Sequence, residues 1–215
     1  MITIGNIFDD FIRYEIQSND EEIKIKRDEF LELFCGKLTL DKLIYFVYKN
    51  LSSKSYSKER FLELCFENDI LDTDLLSGLF LHVHTQAHLY SYFRDYQLSE
   101  EKILGFFERI EKPLLDFEAK TQFDNLPNEF VIFRGLQTKP KTLDQMGFCW
   151  TLNESVAKKF ALADSNSQNG FILKGTSQKK VIYGYILSRD EEEILINSKL
   201  VSNKEVRTIY KCIKN

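Results

Sequence analysis

Along the first 120 or so residues apolar positions recur at three- and four-residue spacing, with short polar clusters between the segments, which is the period of helices packed on one face. Ser18 and Glu21 stand at capping-box spacing ahead of Ile23, Phe30, Leu33 and Phe34, and Gly36 supplies a terminator. Further helices are predicted over about 40–48, 58–66, 74–93 and 100–111, with Pro113 interrupting or restarting the last. After Asn125 and Pro127 the texture changes. Short β-favouring runs occupy 130–133, 170–173, 181–187, 194–196 and 206–213. One helix interrupts them, starting after Asn153 as N-cap and carrying Val156, Ala157, Phe160 and Ala161 on its buried side.

Read in order, the second part is strand, strand, helix, then four strands. The expected fold class is therefore α+β: a helical amino-terminal region over 1–126, followed by a mostly antiparallel sheet over 127–215. A length of 215 residues suits one such domain with a helical extension. The hydrophobic fraction of 43%, with 18 Phe and 10 Tyr, provides for a real core.

Composition narrows the class. Asp9, Asp10 and Arg13 interrupt what would have to be the apolar stretch of a secretory signal, and no apolar run approaches the ~20 residues of a bilayer-spanning helix. Cys35, Cys65, Cys149 and Cys212 are far apart and read as reduced core residues, not as a disulfide framework. A soluble, cytoplasmic protein without a membrane partner is expected, with delivery into a host cell as a second route to the same compartment. Charge is uneven: residues 127–215 hold 14 Lys and Arg against 9 Asp and Glu, whereas residues 1–126 hold 15 against 24. The basic half suits an anionic ligand such as a dinucleotide or a nucleic acid.

Three short segments carry candidate chemistry: Phe133-Arg134-Gly135 closing a strand, 147–153 running from strand into helix, and 191–196 opening another strand. Each alone has an ordinary explanation, as turn, helix cap and solvated loop. Together and in this order they resemble the Arg-Ser-Glu, cholera-toxin-like clade of the mono-ADP-ribosyltransferase superfamily, in a divergent bacterial or phage branch. The resemblance covers about residues 129–213. It sets Arg134 on the first core strand, Trp150-Thr151-Leu152 at the Ser-Thr-Ser segment ahead of Ala157 and Phe160, and Glu191-x-Glu193 at the Glu-x-Glu before an apolar strand. The first and last serines of that segment correspond to Trp150 and Leu152, so Thr151 is the hydroxyl that remains.

The resemblance implies a split β-sheet core and an NAD-dependent transfer of ADP-ribose to a macromolecular acceptor, a protein arginine or a nucleic-acid base. A toxin, a phage effector or a defence component would fit, as would an antitoxin or inhibitor as partner. Under it Glu193 stabilises the charge that develops on the nicotinamide ribose, where a carboxylate favours transition state over substrate. Arg134 would engage phosphates or ribose through its several donors, and Gly135 would admit the backbone close to the carboxamide. Trp150 would pack the site, Thr151 would make the polar contact, and Phe160 would face the nicotinamide ring or pack in the core. Glu191, on the same face as Glu193 if the strand is extended, would orient the acceptor nitrogen. Two alternatives use the same residues: an NAD glycohydrolase, with water as acceptor, and an inactive binding module whose pocket Trp150 fills. His82, His84 and His88 lie in one predicted helix, the last two four apart; no Cys, Asp or Glu at ligand spacing joins them, so no metal is expected.

Overall fold

The computed structural model describes residues 8–9, 20–51, 56–86, 89–110, 117–143, 147–164, 168–187 and 191–211. The chain divides into two compact units, Met1–Ile110 and Glu111–Asn215.

The first unit is helical: α1 (Asp20–Phe34), α2 (Leu40–Asn50), α3 (Ser57–Glu67), α4 (Thr73–Gln86), α5 (Leu89–Asp95) and α6 (Glu100–Arg109). Caps set three of the starts, since the side chains of Thr39, Asp72 and Ser99 accept the backbone N–H groups of Lys42, Leu75 and Lys102. Aromatic packing fills the interior. The Phe30 ring meets Phe46 and Phe61 edge-on at 5.6 and 5.9 Å, and Phe80 meets Phe107 at 5.8 Å. Expected helices over 40–48, 58–66 and 100–111 correspond to α2, α3 and α6, while α4 and α5 occupy the stretch expected as one helix; Ser18, His88, Pro113 and Cys212 lie outside the described residues. Cys65 is buried as expected, with burial pushing its thiol pKa up. Cys35 is exposed, because it follows the last turn of α1 and no core closes over it.

The second unit opens with α7 (Phe117–Asn125), which the sequence reading did not anticipate, and continues with β1 (Glu129–Leu136), β2 (Cys149–Thr151), α8 (Glu154–Ala161), β3 (Asn169–Gln178), β4 (Gly184–Ile186), β5 (Glu193–Leu195) and β6 (Ser202–Tyr210). This is the expected order of strands and helix. The six strands form one sheet, ordered β4-β5-β2-β1-β3-β6, and every pairing is antiparallel. β1 and β3 are in register from Glu129↔Gln178 to Leu136↔Phe171, whereas β1 and β2 share the single register pair Phe133↔Thr151. The sheet is thus two three-stranded halves joined at one point.

Its two faces differ. Phe130, Ile132, Trp150, Leu173, Tyr185 and Ile194 belong to one hydrophobic cluster, to which α7 contributes Ala119 and, part-buried, Phe123. Two polar ties fix α7 there: Tyr185 Oη donates to Gln122 at 3.0 Å, and Lys179 Nζ donates to the Asp124 carbonyl at 2.8 Å. α8 covers the other face, burying Val156, Ala157 and Ala161.

Candidate active site

Antiparallel register brings the three sequence segments together. β5, β2 and β1 are consecutive strands, with Thr151 opposite Glu193 on one side and opposite Phe133 on the other. Directly paired residues project to the same face, so Phe133, Thr151 and Glu193 share a face. Gly135, two residues after Phe133, shares it as well and marks it as the α8 face: a Cβ there would overlap the Ala157 carbonyl and come within 2.7 Å of the Ala161 nitrogen. The missing side chain of Gly135 therefore serves helix packing, a use beyond the ligand contact expected of it.

Glu193 is a charged residue only 8% exposed, held on a strand whose neighbours Ile194, Leu195 and Ile196 are buried. Its segment is clasped to the end of β2. The Thr151 hydroxyl donates to the Glu191 carbonyl and accepts the Asn153 N–H at 3.0 Å, while the Leu152 N–H reaches the Glu192 carbonyl at 3.2 Å. The hydroxyl retained at Thr151 thus works on the backbone, tying the glutamate segment to the strand-to-helix turn. That turn is closed by Asn153, whose side chain accepts the Ser155 N–H at 2.9 Å, as its N-cap position predicts.

Glu191 departs from the expected geometry. β5 begins only at Glu193, and Glu192 adopts φ +44°, in the left-handed region. Pleat alternation cannot then be run back from Glu193 to Glu191, so the two carboxylates do not share a face by strand geometry.

Arg134 lies on the other face, beside Trp150 and the core. Its Nη1 donates to the Cys149 carbonyl, bridging β1 to β2 just beyond their one register pair. Gly147, with φ +72°, makes room for this: a Cβ would stand 2.9 Å from Arg134 Nη2. Two buried donors there have no hydrogen-bond partner, Arg134 Nε and Trp150 Nε1. Trp150 itself is 2% exposed and belongs to the hydrophobic cluster, so its indole packs the core on the side away from Glu193. Phe160, expected on the buried side of α8, is instead 51% exposed. The approach between α8 and Gly135 is so close that alanines, not an aromatic ring, occupy the contact.

His84 is buried and stacked on Phe80 at 5.9 Å, and burial, with Lys58 nearby, lowers the pKa of His82. No helix among the described residues is long and apolar enough to cross a membrane.

Compared with known proteins, the chain matches no protein-family model, no curated protein and no solved structure.

Proposed function

We propose that the chain is an NAD-dependent mono-ADP-ribosyltransferase, with its site on the β1-β2-β5 strands of the second unit. One observation carries the reading: three separate segments bearing Arg134, Thr151 and Glu193 become three adjacent strands, with Thr151 paired to Glu193 some forty residues away. The joining of the sheet at a single pair between β1 and β2 agrees with the split core that the resemblance implies.

In this reading the nicotinamide glycosidic bond breaks with positive charge accumulating on the ribose. Glu193, largely buried and held by the Thr151 clasp, supplies a negative charge whose position is set before reaction, which favours the transition state over bound NAD. Arg134, on the opposite face of the sheet, secures the β1–β2 junction through Cys149 and so holds the strands that present Thr151 and Glu193. The half-exposed Phe160 ring on α8 is offered to the nicotinamide. Glu191 is assigned to the acceptor nitrogen, a protein arginine or a nucleic-acid base.

The test is incubation of pure protein with NAD labelled in its adenylate half, a cell lysate and total RNA. Label joined to protein or to RNA is expected. Nicotinamide release without any transfer of label marks a glycohydrolase, and neither release nor transfer removes the enzymatic reading.

A further inference from the structure

The first unit contains a half-open cleft of about 300 Å³ that the proposed chemistry does not use, lined among others by Arg60, Glu63, Tyr92, Tyr96, Ser99 and Lys102. Glu63 forms its floor, 3% exposed, and its carboxylate is already taken up: Arg60 and Tyr92 donate to one oxygen and Lys102 to the other. A carboxylate with three donors has little left to offer a cation. Lys102 also pairs with Glu67 at 2.6 Å, but Glu67 does not line the cleft. A guest in the cleft therefore meets Arg60 and Lys102 with their compensating charges beneath or outside them. The Ser99 hydroxyl, which accepts the Lys102 N–H at 3.2 Å, has its own hydrogen to donate into the same space.

The lining is also aromatic. Tyr92 and Tyr96 lie 4.6 Å apart, and Tyr56 abuts Tyr96 edge-on at 5.8 Å. Tyr92 is buried, whereas Tyr96 is 53% exposed and leaves ring surface open. A large apolar side chain so exposed beside two anchored cations is the arrangement that stacks a planar ring while holding an attached anion. The volume stands at the lower end of small-ligand sites, room for a mononucleotide rather than a dinucleotide.

We propose that this cleft binds a mononucleotide, its phosphate held by Arg60, Lys102 and Ser99 and its base stacked on Tyr96. The proposal is independent of the chemistry assigned to the second unit, and AMP bound there instead would be insensitive to Tyr96→Leu. AMP, inorganic phosphate and adenosine are titrated separately into the full chain by calorimetry. Saturable AMP binding is expected, with phosphate and adenosine each at least about tenfold weaker, since each keeps half of the contacts. Tyr96→Leu and Lys102→Gln are each expected to weaken AMP about tenfold. Should Lys102→Gln fail to fold, Tyr96→Leu decides, because that ring is exposed. Absence of AMP binding overturns the proposal, as does phosphate binding as tightly as AMP, or an AMP affinity unchanged in Tyr96→Leu.

Discussion

Arg134 does structural work that its position at a strand end would not suggest. A guanidinium at a strand terminus is ordinarily a surface group worth little to stability; here it is part-buried and donates to the Cys149 carbonyl across the one-pair junction of β1 and β2. Arg134→Lys keeps the charge and loses the planar fork, so urea unfolding without ligand should show a loss of about 1–2 kcal/mol. An unchanged midpoint would return Arg134 to the surface category. Thr151→Val should cost a similar ~1–2 kcal/mol, because the Asn153 N–H and the Glu191 carbonyl both lose their partner, while Thr151→Ser keeps most of it. Arg134, Thr151 and Glu193 could be chosen from residue type and order, but which face each takes depends on the register of distant strands. The positive φ of Glu192, which breaks the alternation between Glu191 and Glu193, has no local signature in a run of three glutamates.

Elements were legible where their pattern is strong. The order of strands around one helix followed from β-favouring runs and an Asn cap, and α8 begins one residue after that cap. α7 was missed because its nine residues, FEAKTQFDN, are mostly polar; Ala119 and Phe123, four apart, with Leu126 beyond, are the one helical trace of the face it buries against Tyr185. Phe160 was given to the core by its spacing, and the tightness of the α8 contact excludes it. That contact supplies the clearest element-scale test. Gly135→Ala puts a methyl group into the backbone of α8, and since backbone cannot rotate aside, destabilisation at or above the usual 1–3 kcal/mol of overpacking is expected in chemical denaturation. A variant as stable as the parent would mean that α8 does not dock on β1 as described.

The change in texture divides the sequence at 126/127; the compact units divide at Ile110 and Glu111, because α7 packs with the sheet. A fragment of residues 111–215 should therefore unfold cooperatively, while 127–215, deprived of Ala119, Phe123 and the Gln122–Tyr185 bond, should be markedly less stable; equal melting of the two would refute the role given to α7. The first unit carries a pH signature. Burial works to raise the Glu63 pKa, but hydrogen bonds from Lys102, Tyr92 and Arg60 outweigh it and hold the carboxyl below its ordinary value of 4.5. A depressed carboxyl pKa stabilises the fold above the unfolded value and ceases to do so as pH falls through the folded one. Thermal unfolding of the parent should thus weaken below about pH 4.5, and Glu63→Gln, less stable at neutral pH by ~3 kcal/mol, should show a shallower acid limb. The reading of the second unit turns on Glu193. The direct measurement is nicotinamide release from NAD by the parent chain and by Glu193→Gln, with folding checked by circular dichroism. The account predicts release by the parent and a fall of roughly 100-fold or more in the variant, as for removal of one preorganised transition-state contact; no release by the parent, or equal release by both, would contradict it.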